Sequence, residues 1–429
     1  MLQPDDPEDI LLVSGGVEGQ LKELLKYRVK RIDYVEINPA LIDAARRFTR
    51  LPQSDKINYI NTDVRLFLTQ TDKKYDAILL NLPPPLTPEI NRYYTREFFQ
   101  LLEEHLNKGG VVKTQLPATA NYMSKEAERN AKILYSTLRS VFLKVEVLPG
   151  EHNYFLASHS AIDLNIVKEI NKKQIDNEYI AYYLDDFSLV QRAEAMNKRI
   201  ALGMSLNYDF RPLAYPEQIK EQMSRFKTHY IILGTFLFLF LVLMIENMNA
   251  GNFGMFAVGF ASITAELLII FGFQILYGNI YSMLSVIIMM FMAGLAVGAL
   301  YFPRYLKYLK YSLNKLYKIS FALLALALVA LPYQFIYGLS AIKIQWLNYS
   351  LIFFQTLLIS SISGFLFYLS EQLNYKQNNQ VAGKIYSADL FGSALAAITV
   401  SLLIVPLEGF GTAGIIAGAI CLIAVLVKR

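Results

Sequence analysis

The chain has 429 residues, of which 54% are apolar, and a mean hydropathy of +0.31. That length exceeds one ordinary core, and the apolar share exceeds that of a typical soluble protein, so at least two domains are expected. The formal charge of +5 is modest. It collects beside apolar segments, at Arg304, Lys307, Lys310, Lys315 and Lys318, as membrane-flanking charge does. No basic stripe with interleaved stacking aromatics marks a nucleic-acid surface, so nucleic acid is not an expected partner. The single cysteine, Cys421, excludes an intrachain disulfide and a cysteine metal site, and no metal is expected. The opening MLQPDDPEDILLV has no basic region followed by an apolar one, so no signal peptide is expected.

Ile10–Ser14 is a short apolar run ending in Gly15 and Gly16, with Gly19 close behind and Leu21, Leu24 and Leu25 following at helical spacing. Strand, glycine turn and helix open a nucleotide-binding βα unit, because backbone must approach a cofactor closely at a helix N-terminus. The next strand, Arg31–Ile37, carries Glu36 at its end, about twenty residues past the glycines, where an acid accepts hydrogen bonds from ribose hydroxyls; a solvated strand-end glutamate is the plain alternative. A helix over Pro39–Phe48 and a strand over Ile57–Ile60 lead to Asp63. This acid can accept from an adenine amino group or cap the helix Val64–Leu68. A fourth strand, Tyr75–Asn81, runs into Leu82-Pro83-Pro84-Pro85. Helix Arg96–Leu106 then leads through Gly109-Gly110 to a fifth strand, Val111–Gln115, with further strands at Lys144–Leu148 and Tyr154–Ser158. This alternation predicts a Rossmann-like α/β domain with a mostly parallel sheet covered on both faces.

Residues 10–215 resemble the spermidine synthase family, the aminopropyltransferases, in VSGGVEGQLKELLKY, VEINPALIDAARRF, TDVRLFL, YDAILLNLPPP, NRYYTREFF and KGGVVKTQLP. LPGEHNYFLAS, NYDFRPLAY (Asn207, Asp209, Arg211, Pro212), FGFQILYGNIYS and YSADLFGSALAA look like its bacterial membrane-fused relatives. The resemblance implies a class I methyltransferase-like sheet, decarboxylated S-adenosylmethionine as donor, a diamine such as putrescine as acceptor, and methylthioadenosine as by-product. It implies that Gly15, Gly16 and Gly19 line the donor's methionine-derived part. Glu36 would bind ribose, Asp63 adenine, and Tyr94 would lie near the acceptor. Three departures stand out. The family's two aspartates after the fourth strand are here Asn81 and Pro84; asparagine is no general base near neutral pH, and proline has no polar side-chain group. The glycine turn reads GGVEGQ, with Glu18 in place of an aspartate and Val17 and Gln20 where glycines are usual. The family's preceding β-rich segment, with its acceptor and oligomer contacts, is expected ahead of the first strand, yet the sequence opens on that strand. Asn81-Leu82-Pro83-Pro84 also resembles, more distantly, the Asn-Pro-Pro-aromatic loop of amine-methylating enzymes, which keeps S-adenosylmethionine and methyl transfer as a second donor and reaction.

From about residue 228 the character changes. Apolar runs near 229–247, 252–277, 280–303, 316–338, 347–369, 384–406 and 409–427 are each long enough to cross a hydrocarbon core. The expected organisation is 1–215 cofactor domain, 216–228 linker and 229–429 transmembrane domain of about seven helices. Ala293, Gly294, Ala296 and Gly298, and Gly392, Ala394, Ala396 and Ala397, suit close helix packing. Glu266 and Asp389 lie inside apolar runs, as an ionic or polar site or as interhelical hydrogen-bonding groups, with Lys384 a candidate counter-charge. If they face a cavity they suit a cationic amine, which makes a polyamine-binding or transport module the rival function. The basic linker 304–318 and the C-terminus read as cytoplasmic in a bacterial inner membrane. Three crossings counted back from that linker conflict with a cytoplasmic cofactor domain, which the need for an adenosyl compound favours. Expected partners are a small amine, the lipid bilayer and, by self-association, a second copy.

Overall fold

The protein is described here as a computed structural model, in which residues 7–49, 51–117, 123–177, 180, 184, 186–201, 203–224, 234–235, 250–278, 281–306, 312–339, 345–375 and 381–427 are described. The chain divides into two compact units, Met1–Arg225 and Phe226–Arg429.

In the first unit, strands β1 (Asp9–Val13), β2 (Arg31–Val35), β3 (Ile57–Ile60), β4 (Tyr75–Leu80), β5 (Leu106–Pro117), β6 (Lys144–Pro149) and β7 (His152–Ser158) form one sheet in the order β3-β2-β1-β4-β5-β7-β6. The pairs from β3 across to β5 are parallel, and β7 lies antiparallel between β5 and β6. Alternation along β1 and β4 divides the apolar side chains between two layers. Leu11, Val13, Ile78 and Leu80 pack with Phe98, Phe99, Leu134 and Leu138 on one face. Ile10, Leu12 and Ala77 pack with Leu21, Leu24, Leu189 and Ala193 on the other. Both faces are covered, as a parallel sheet requires. The strand order reverses between β1 and β4, which places a ligand crevice at their carboxyl ends.

The helices that connect these strands are α1 (Gln20–Leu24), α2 (Pro39–Phe48), α3 (Val64–Thr69), α4 (Pro88–Asn91), α5 (Arg96–Glu104), α6 (Lys125–Arg139) and α7 (Ile166–Lys172). Their starts are chemically marked. Asn38 caps α2 through Ala40 N, with Pro39 at the first helical position, where a missing N–H costs nothing. Thr95 caps α5, which buries Phe98, Phe99 and Leu102. Burial of each of those two phenylalanines, neither of them exposed, stabilises the fold by about 1.5–3 kcal/mol. Helix α6 was not anticipated, although Ser124 caps it and its buried positions recur at helical spacing.

Residues 216–224, expected as linker, instead belong to a helix, Ala214–Ser224, which joins the first unit: Asn130 Nδ2 donates to Gln218 Oε1 at 2.5 Å. Just before it, the NYDFRPLAY stretch is pinned by buried polar contacts. Asn207 donates to Asn91 Oδ1 and to Tyr94 O, and Asp209 receives the Arg65 guanidinium at 2.7 and 2.8 Å and Thr95 Oγ1 at 2.7 Å. Burial and the neighbouring Asp209 charge push the Glu97 carboxyl up to about 7.

The second unit is helical. Among the described residues, six helices are long and apolar enough to cross a membrane: Asn252–Tyr277, Met283–Arg304, Leu313–Gly338, Trp346–Leu373, Gly383–Glu408 and Phe410–Val427. They match six of the seven expected runs; the seventh, 229–247, lies outside the described residues except for 234–235. Glycines set the packing. A Cβ at Gly259 would collide with the Asp389 carbonyl, and one at Gly392 with the Phe256 carbonyl. A Cβ at Gly298 would meet the Ser361 carbonyl, and one at Gly294 the Leu357 carbonyl and the Ser360 hydroxyl. Backbones therefore approach without intervening side chains, the usual solution where lipid supplies no hydrophobic drive for association. Leu326, Phe354, Leu402 and Leu422 are exposed on these helices.

Candidate functional site

The site is built where β1 and β4 part. Ser14 N donates to Val35 O and Asn81 N to Val13 O, so the ends of β1, β2 and β4 are tied together. The turn after β1 passes through the left-handed region at Ser14 (φ 58°), Gly15 (φ 72°) and Gly19 (φ 98°). Glycine adopts that region freely, whereas other residues are strained there. Close approach adds a second demand. A Cβ at Gly15 would lie 2.9 Å from Asn81 Cβ, and one at Gly16 2.7 Å from the Tyr34 ring. Gly19 faces open space. Gly15→Ala therefore combines strain of about 1–2 kcal/mol with displacement of Asn81. It is expected to weaken adenosyl-ligand binding about tenfold, measured by calorimetric titration; unchanged affinity would separate this turn from the ligand.

Glu36 follows β2 and is buried. Its Oε2 accepts from Ser14 Oγ at 2.9 Å and Tyr34 Oη at 3.2 Å, and its Oε1 accepts from Asn38 N at 3.1 Å. A carboxylate offers about four acceptor directions, so these three donors leave one unfilled, on a side chain already fixed in place.

Asp63 differs. Its Oδ1 caps α3 by accepting from Arg65 N at 2.9 Å and Leu66 N at 3.2 Å. Arg92 grips both oxygens, at 2.9 Å and 3.4 Å, and Tyr93 Oη donates to Oδ2. Burial alone would raise this carboxyl, but the Arg92 guanidinium, the Tyr93 hydroxyl and the cap donors outweigh it and hold the group below the usual carboxylate range. Five donors fill its acceptor directions. Of the two expectations for Asp63, the geometry realises the cap and leaves no lone pair for an adenine amine.

Asn81, just past β4, has a fully engaged amide. Nδ2 donates to Gln20 Oε1 at 2.7 Å and Ser14 O at 3.2 Å, while Oδ1 accepts from Lys113 Nζ at 2.7 Å. Tyr94 is buried beneath the proline loop, with its hydroxyl 3.2 Å from Leu82 O, 2.9 Å from Pro83 O and 3.3 Å from Gln115 O. It braces that loop.

Lys113, on β5, was not singled out from the sequence. Its Nζ also donates to Gln115 Oε1 at 2.6 Å and lies 5.1 Å from the centre of the Tyr154 ring. Burial lowers this ammonium to about 8. The sequence carries little signal for it, since Lys113 stands beside the polar Thr114 and Gln115 on a strand that also holds Lys108. Lys113, Asn81, Gln20, Glu23, Tyr27 and Tyr154 share the wall of a cavity of about 460 Å³ whose remaining lining is mainly aliphatic.

In the helical unit, Glu266 and Asp389 line one cavity of about 400 Å³, together with Ser262, Ser363 and Ser393. Among the described residues neither acid forms an ion pair, and Lys384 is not joined to Asp389. No group of three or more candidate metal-ligating His, Cys, Asp or Glu occurs among the described residues.

The sheet order and its glycine rim define a Rossmann-type α/β domain, carried on the same chain as a helical unit with six membrane-length apolar helices. Residues 1–166 match the family described as Spermine/spermidine synthase domain. A polyamine aminopropyltransferase of Oceanobacillus iheyensis is 31% identical over 179 residues, 39% of this chain and 35% of that protein. One from Saccharolobus islandicus is 32% identical over 146 residues, 32% of this chain and 47% of that protein. The chain thus spans less than half the length of either relative. Among solved structures, spermidine synthase from Thermotoga maritima aligns with a TM-score of 0.36 at 20% identity, over 47% of this chain and 70% of that one. Human methyltransferase-like protein 13 in complex with SAH aligns at 0.31 and 15%, over 46% of this chain and 84% of that one.

Proposed function

We propose that the first unit binds an adenosyl sulfonium compound along the β1–β2–β4 rim and transfers an aminopropyl or similar group from it to a small amine. Decarboxylated S-adenosylmethionine is the donor the family suggests, and S-adenosylmethionine the other candidate. The observation carrying this reading is Glu36, held by three donors with one acceptor direction unfilled, beside a turn whose glycines admit a ligand backbone-close. Its unfilled direction suits a ribose hydroxyl. In the transfer, the amine lone pair attacks the carbon bonded to the sulfonium. The S–C bonding pair returns to sulfur, and methylthioadenosine leaves. The attacking amine must first lose a proton, which passes to solvent because Asn81 cannot take it. Catalysis therefore departs from the family at this step. Incubation with labelled decarboxylated donor and a panel of amines tests the reading: release of methylthioadenosine supports it, and no release with any amine sinks it.

The second unit is read as a multi-pass membrane domain of a bacterial inner membrane, with the first unit cytoplasmic. If all six helices cross, residue 251, the basic linker and the C-terminus fall on one side, and the positive-inside rule supports reading that side as cytoplasmic. This placement requires the run 229–247 not to complete a crossing. A second reading, of a polyamine-binding or transport module, is favoured by the convergence of Glu266 and Asp389 on one cavity. Intramembrane carboxylates are costly and usually functional. On that reading, Glu266→Gln or Asp389→Asn abolishes amine or proton flux in proteoliposomes; flux that is absent from the parent, or unchanged in both variants, removes it.

A further inference from the structure

The charge around Asn81 has changed sign relative to what an acceptor diamine needs. A diamine brings two ammonium groups, and acids nearby would favour both. Here the two positions that resemble the family's aspartates are the neutral Asn81 and Pro84, and a cation, Lys113, stands 2.7 Å from Asn81 Oδ1. The charged and titratable groups sharing its cavity are Glu23 from α1, Tyr27 just after α1, and Tyr154 from β7. Glu23 is ion-paired with Lys26 at 2.9 Å, so it leaves the lysine charge uncompensated. Lys113 forms no ion pair among the described residues, and two of its three N–H donors point at amide oxygens. The third has no acceptor among the described residues. An ammonium in an aliphatic cavity with a donor to spare is an anion-binding group, because a charge-assisted bond to a carboxylate is stronger than one to a neutral amide.

We propose that the site takes an amine that also carries a carboxylate, an acceptor of the amino-acid class, whose carboxylate is held by Lys113. This rests on the group-transfer reading above and names its acceptor. The cavity suits such a molecule, since its aliphatic walls accommodate the methylene chain between the two charged ends. At neutral pH Lys113 is charged. Deprotonation as pH rises through about 8 removes the attraction.

The test compares two probes of matched chain length, 5-aminopentanoate and 1,4-diaminobutane, titrated calorimetrically into the full-length protein in detergent with methylthioadenosine present. One charge-assisted bond corresponds to about 10- to 100-fold in affinity, and the parent protein is expected to prefer the amino acid by that margin. Lys113→Met is expected to lose the preference. Lys113→Arg, which confirms that position 113 tolerates change, is expected to keep it and to extend it above pH 8, where the parent's declines. Equal or tighter binding of the diamine by the parent overturns the inference, as does a preference that survives in Lys113→Met. Failure of methylthioadenosine itself to bind would instead bring down the nucleoside reading, and the inference with it.

Discussion

Arg92→Met is expected to destabilise the first unit by about 3–5 kcal/mol, the usual effect of removing one partner of a buried ion pair. Arg92 is 1% exposed, and its guanidinium is held by both oxygens of Asp63. Burial would lower its affinity for a proton, but Asp63, Tyr93 and Asp209 together raise it. Methionine fills much of the same volume, so the loss falls on the carboxylate left behind rather than on packing. The backbone also carries load: the Arg92 carbonyl accepts from Arg65, whose guanidinium clamps Asp209. Loosening this point should therefore free the 207–211 segment as well. Asp63→Asn keeps a cap for α3 yet strands Arg92, and should cost a comparable amount; combining the two should cost less than their sum. The pH dependence has a definite sign. Asp63 is held below its ordinary value, so its contribution is present above about pH 4 and is lost as pH falls through the lowered value. Urea unfolding of the detergent-solubilised chain, followed by proteolysis of the first unit, reads these effects. A shift below about 1 kcal/mol for Arg92→Met would place the pair among weak surface contacts and contradict its structural role.

Glu36→Gln is expected to lower affinity for adenosyl ligands about 10- to 100-fold, from the loss of one or two hydrogen bonds to a charged acceptor. The substitution preserves length and volume. Ser14 and Tyr34 hydroxyls can rotate to meet an amide, so the fold should survive, and thermal melting checks that it does. What changes is the acceptor: an amide offers one oxygen where the carboxylate offered two. The unfilled direction on Glu36 would then be taken by the existing donors or turned into an N–H. Affinity within about threefold of the parent would show that ribose is held elsewhere.

Much of this architecture was legible because its signals are local. Gly15-Gly16, Glu36, Asp63 and Asn81 follow four strand ends within about one to three residues, since the polar residues after a strand begin the next turn or cap the next helix. The six described spans followed from run length alone. The missing parts depend on partners distant in sequence. Arg92 lies 29 residues beyond Asp63, and nothing near TDVRLFL announces that the acid's lone pairs are already filled. Lys113 gains its meaning from Asn81 just past β4 and Tyr154 on β7, the two strands that flank β5. Glu266 and Asp389 come from helices more than a hundred residues apart, and only helix packing brings them to one cavity. The region 216–224 reads as linker, yet Gln218 pairs with Asn130 on α6, 88 residues away in sequence.

The central claim is that the β1–β2–β4 rim holds a nucleoside through Glu36. Calorimetric titration of the full-length protein with methylthioadenosine and with S-adenosylmethionine tests it most directly. Saturable binding of at least one of them, weakened in Glu36→Gln and in Gly15→Ala, is the predicted result. Absence of heat with both ligands, from protein that melts cooperatively, would contradict it.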